Sequence, residues 1–187
     1  MRRPELPAIA LVEFSSIARA LRSGDAMVKK AQVQVALSEP ISPGKYLVLV
    51  SGMEAEVEES WRAGVSDGGD AVVDSLFLPG VHLDVVHGIH GTTGTRRPDH
   101  SLGIIETSSV SAAVLACDAA CKEASVQLLE MRLGKGIGGK GVFSLCGELW
   151  NIEAAVAAAC SAIEEKRALL AAEIIARPDP DFQGGLY

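Results

Sequence analysis

The chain has 187 residues, room for one ordinary domain or two small ones; 48% are hydrophobic and the formal net charge is −7. No run approaches the roughly 18 uninterrupted apolar residues of a membrane span, and the apolar run in MRRPELPAIALVEF is too short for a signal peptide. With no basic tract beyond pairs such as Arg96-Arg97, the acidic balance argues against nucleic acid as the main partner.

The first predicted element is an apolar strand, Ile9–Phe14, which meets the pair Ser15-Ser16, suited to capping a helix. A helix follows. Its apolar positions Ile17, Ala20, Leu21, Gly24, Val28 and Ala31 recur at three- and four-residue intervals, so they share one face, expected to be buried. A strand beginning near Val33 leads to a Gly-rich turn, and the strand in ISPGKYLVLVSG (41–52) returns from it. MEAEVEESWRAG reads as a second helix with an acidic wet face, and LFLPGVHLDVVHGI closes the series as a further apolar segment. The stretch GIHGTTGTRRPDHS (88–101), rich in Gly, Thr and Pro, is the natural linker.

The series then repeats. Shifting by 93 residues aligns 10–36 with 103–129 without a gap. The pairs Glu13/Glu106, Ser16/Ser109, Ala20/Ala113, Asp25/Asp118, Lys29/Lys122, Val33/Val126 and Gln34/Gln127 are identical. After the Gly-rich loop the shift becomes 95, and GIGGKGVFSLCG (136–147) matches ISPGKYLVLVSG. A period this long describes two fused copies of one small domain, not a solenoid. Each copy has the β-α-β-β-α-β order of the split βαβ arrangement, so the expected fold is α+β, two fused ferredoxin-like domains. The expected boundaries are 8–90 and 101–182, with 91–100 as linker.

With GDAMVKKAQV, the Gly-rich turn and VSGMEAEVEESWRAG in view, the chain resembles bacterial microcompartment shell proteins of the tandem-domain class, in unpermuted strand order. KGIGG is similar to that family's KIGSG pore loop, whereas the first copy's PISPG keeps only Ile41 and Gly44 of the pattern. The resemblance implies a structural protein and not an enzyme. It implies a homotrimer whose six domains surround a pore, tiling with hexameric and pentameric shell proteins and passing small metabolites. It further implies that Ser42, Pro43 and Gly44 alternate with Ile137, Gly138 and Gly139 around that pore. Lys29, Lys122 and Arg177 are implied as contacts at the tile edge. Some tandem-domain relatives hold an iron–sulfur cluster through a cysteine in this loop; here the position is Ser42, a poor ligand for soft metals, and no cofactor is expected.

Other readings stay open. The loop could be a tight hairpin with no axis role, or Lys29 a solvated residue at a helix C-terminus. Cys117 and Cys121, four apart, could share a metal, but they align with Gly24 and Val28 on the predicted stripe and read as core. Cys146 and Cys160 complete the set, none in a C-x-x-C pair, which argues against a disulfide framework and for a cytoplasmic setting. His82, His87, His90 and His100 show no zinc spacing, and no catalytic constellation stands out. As a class, a duplicated ferredoxin-like chain could also be a small-ligand-binding regulatory protein, which size in solution would separate from a trimer.

Overall fold

A computed structural model of the chain describes residues 7–91, 100–179 and 181. Most of the expected linker, with Arg96-Arg97, and the expected domain limit at residue 182 lie outside the described residues. There are two compact units: one runs to Val81 and takes in Lys135–Gly139, the other starts at His82 and holds the rest.

In the first unit the chain forms β1 (Ala8–Phe14), α1 (Ile17–Lys30), β2 (Gln34–Ile41), β3 (Lys45–Gly52), α2 (Glu54–Gly68) and β4 (Val72–Leu78). The sheet order is β2-β3-β1-β4 with every neighbour antiparallel, the split βαβ arrangement. The second unit opens with a short helix, α3 (Leu83–Ile89). It continues through β5 (Ser101–Thr107), α4 (Val110–Glu123), β6 (Gln127–Leu133), β7 (Gly141–Gly147), α5 (Leu149–Ala162) and β8 (Leu169–Ile175), with sheet order β6-β7-β5-β8.

Even the irregularities are duplicated. The β1–β4 ladder slips between Glu13 and Phe14, and the β5–β8 ladder between Glu106 and Thr107. Likewise β2–β3 slips between Val35 and Leu37, and β6–β7 between Leu128 and Glu130. Each slip inserts one residue and bends the strand, so both sheets bend at matching places.

Every residue of β1 is buried. On one face Ala8, Ala10, Val12 and Phe14 pack with Ala20, Met27, Val48, Val50 and Val57. Phe14 is wholly buried, and burying a side chain of that size stabilises by about 2–3 kcal/mol. The two helices of this unit approach closely because Gly64 has no side chain: a Cβ there would lie 2.5 Å from Met27 Sδ. The serine pairs cap as the sequence predicts. Ser16 Oγ accepts from Arg19 N at 3.3 Å, and Ser109 Oγ from Ala112 N at 3.2 Å.

Two expectations need correction. The apolar stripe is buried in α4, where Val110, Ala113, Val114, Cys117 and Cys121 are all covered. In α1 it is not: Ile17, Leu21 and Val28 are exposed, and the buried line is Ala20, Ser23 and Met27. Periodicity finds an apolar line but does not say what lies over it. The closing segment LFLPGVHLDVVHGI is also not one element. It turns at Gly80, with φ +68°, between β4 and α3. His82 then caps α3 through Nδ1, which accepts from Asp84 N at 3.2 Å.

Candidate functional site

The Gly-rich loops that close β2–β3 and β6–β7 hold the predicted pore residues. In the first, Ile41 is buried at the end of β2 opposite Lys45, Ser42 is half-buried, and Pro43 and Gly44 are exposed. In the second, Ile137 is half-buried, Gly138 is exposed and Gly139 is buried.

Lys135–Gly139 belongs to the first unit, so both loops form one patch there. Gly136 N donates to Ser42 Oγ at 3.4 Å, and Lys45 Nζ donates to Gly139 O at 3.1 Å. Lys135 Nζ binds Glu39 Oε2 at 2.5 Å. Gly139 is the position that tolerates no other residue. Its φ is +76°, and a Cβ would sit 2.2 Å from Ser42 O. Gly138, also at positive φ, has open space around it.

The repeated Gly-Lys turn has a second cause that sequence reasoning missed. Lys45 Nζ pairs with Glu13 Oε2 at 2.9 Å, with the Glu13 side chain 0% and the Lys45 side chain 15% exposed. Lys140 Nζ pairs with Glu106 Oε1 at 2.6 Å in the same relation, in a wetter setting. A signal was present: glutamate and lysine both recur in the two copies. A carboxylate buried as Glu13 is must keep its counter-charge, since removing one partner of a buried pair costs about 3–5 kcal/mol.

The predicted edge residues lie elsewhere. Lys29 pairs with Asp25 and Lys122 with Asp118, each at 2.6 Å and four residues apart on its helix. Arg177 is exposed, two residues beyond β8.

Chemically reactive groups are muted. Burial, reinforced by a hydrogen bond with Cys121 and nearby carboxylates, pushes the Cys117 thiol well above its ordinary range. It is therefore a protonated core group and a poor nucleophile. Burial also raises the Cys160 thiol. His82, Asp84 and Cys121 each bring one ligand atom within 4.8 Å of the others. That makes three donors where a structural zinc closes on four, and His82 Nδ1 is already engaged as the α3 cap. A cleft of about 410 Å³ in the second unit is lined by His100, Ser125, Gln127, Cys146, Glu148 and Asn151.

Two antiparallel split βαβ units with Gly-rich loops define a class, and comparison with known proteins identifies it. Residues 8–81 and 101–178 each match the BMC domain, so the chain belongs to that family and carries the domain twice. It is a bacterial microcompartment shell protein, a structural family whose members assemble with other shell proteins. It is 37% identical over 171 residues to the bacterial microcompartment shell protein PduT of Citrobacter freundii, covering 91% of this chain and 92% of that one. A microcompartment protein from Desulfitobacterium hafniense DCB superposes with a TM-score of 0.83 at 39% identity, over 93% of this chain and 96% of the other. The fused permuted hexameric shell protein of the RMM microcompartment shares the fold, with a TM-score of 0.68 at 22% identity over 86% and 85%. Among the described residues no helix is long and apolar enough to cross a membrane.

Proposed function

We propose that three copies of the chain form a flat ring of six domains, a pseudohexameric tile of the shell. In this reading the domains are 8–90 and 101–182, joined by 91–100. Ser42, Pro43 and Gly44 alternate around the axis with Ile137, Gly138 and Gly139 and leave a pore. The observation that carries it is the meeting of the two loops, through Gly136 N with Ser42 Oγ and Lys45 Nζ with Gly139 O. Few side chains project there, so a solute meets mainly amides, carbonyls and the Ser42 hydroxyl, which suit small polar metabolites.

Lys29, Lys122 and Arg177 form the edges that meet neighbouring hexamers and pentamers. The tile acts in the cytoplasm through assembly and permeability, without catalysis or a cofactor, and engages neither nucleic acid nor membrane.

Electron microscopy with mass measurement tests this. Three copies of a 19.5 kDa chain make a particle of about 58 kDa with six lobes. A ligand-stabilised dimer would instead support the regulatory reading. Within shells, Gly138→Trp adds three indoles to the opening, and should slow passage of polar solutes while assembly proceeds unchanged. Unchanged passage where this is the sole pore-bearing tile removes Gly138 from the pore.

A further inference from the structure

Matching positions of the two repeats differ sharply in burial at one place. Ile17, Leu21, Val28 and Val35, on α1 and β2, are 44%, 55%, 45% and 49% exposed. Their counterparts 93 residues on, Val110, Val114, Cys121 and Leu128, are 0%, 0%, 7% and 2% exposed. In the second unit α3 packs against α4 and β6, with Val85 and Ile89 buried. Gly88 comes so close that a Cβ there would fall 2.5 Å from Leu128 Cδ2. A hydrogen bond fixes the start of this cover: Asp118 Oδ1 accepts from His82 N at 2.8 Å, while Oδ2 holds Lys122.

The covering helix is not part of the repeat it covers. It is the segment that follows β4, the last strand of the first repeat. The corresponding segment follows β8, at a shift of 97 that places Leu78 against Ile175. That shift sets Val81 against Pro178, both buried, and His82 against Asp179. It also sets Val85 against Phe182 and Ile89 against Leu186, so the tail carries the same apolar pair four residues apart. Residues 182–187 are outside the described set, so their part rests on sequence alone. The receiving side is equally matched. Asp25 is the counterpart of Asp118 and holds Lys29 through Oδ2, yet among the described residues its Oδ1 has no partner.

We propose that the face of Ile17, Leu21, Val28 and Val35 is the seat for residues 178–187 of a second copy of this chain. Phe182 and Leu186 lie there as Val85 and Ile89 lie on α4, and Asp25 Oδ1 accepts the N–H of Asp179. The occupant follows from the pattern: the tail of one repeat covers the next, and after the second repeat the next is the first repeat of another copy. Such a contact is head-to-tail, and closes into a ring or runs on as a filament. The proposal rests on the trimer reading and deepens it by naming the surfaces that meet.

The test places a photo-reactive p-benzoylphenylalanine at position 182 in an equal mixture of light and heavy-isotope chains refolded together. The expected product joins residue 182 to the peptide carrying Ile17–Arg22, with half of the cross-links mixed in isotope. Same-isotope products alone put the tail on its own chain, and products elsewhere or none on α1 remove it from this seat; each overturns the proposal. In parallel, Leu21→Asp should leave a folded chain by circular dichroism that sediments as a monomer. If Leu21→Asp remains a trimer, the seat is not an interface. An unmodified protein that is itself monomeric breaks the trimer reading first, and so separates the two failures.

Discussion

The helices α1 and α4 have the same length, the same serine cap and the same apolar spacing, yet one hides its stripe and the other shows it. Duplication copies the backbone and the capping chemistry, because these are local. What it does not copy is the neighbour. In the second unit α3 packs against α4 and β6, reaching Asp118 and Leu128, whereas the matching face of α1 and β2 is exposed among the described residues. Matched residues therefore carry different energies, and paired substitutions measure the difference.

The largest contrast should come from one charge at equivalent sites. Val114→Asp buries a carboxylate without a partner and should cost about 3–5 kcal/mol, enough to leave little folded protein in a thermal melt. Leu21→Asp, at the matching exposed position, should move the melting of the isolated chain by less than about 0.5 kcal/mol. Equal losses would mean that the two helix faces are covered alike.

A smaller effect tests the cover itself. Gly88→Val should push α3 off Leu128 at a cost of about 1–3 kcal/mol in chemical denaturation. Adding Leu128→Ala should return part of that loss, since the clash is with that side chain. Strict additivity of the two would place the contact elsewhere.

Below this lie the caps, where the helices should agree. Ser16→Ala and Ser109→Ala each remove one bond to a backbone amide and should each cost about 1 kcal/mol. A marked inequality in denaturation midpoints would show that burial also sets the worth of a cap. Least of all, Lys29→Ala should shift stability by only about 0.5 kcal/mol, because both partners of its ion pair reach solvent. Adding Lys122→Ala should cost more, since it leaves the buried Asp118 carboxylate without its cation. The same double variant should lose sheet formation while remaining a trimer, as electron microscopy would record.

Much of this was legible in the sequence. Strand order, caps and duplication are written in local patterns, and the match of Ser16 with Ser109 and of the two Gly-Lys turns announced them. The fate of the α1 stripe was not, because an apolar period reports a face and not its occupant. The pairing of Lys45 with Glu13 left only an indirect trace, the recurrence of both residues in the second copy, because the partners stand on β3 and β1, 32 residues apart. The segment LFLPGVHLDVVHGI reads as one apolar stretch because only Gly80 marks the turn that separates α3 from β4. The candidate pore residues were named from a resemblance; the loop contact between Ser42 and Gly136 had no local signature at all.

The Lys45 ammonium has two acceptors of very different age during synthesis. Glu13 leaves the ribosome before it, but Gly139 O arrives 94 residues later. At translation speeds of about 5–20 residues per second, the nascent first repeat waits several seconds with that bond unmade. Its sheet can form in that interval, but the surface around Ser42 stays unfinished until the second repeat's loop emerges. The first half made alone would lack the acceptor that Gly139 O supplies, and the fusion of the two copies into one chain ties completion of that surface to production of the second.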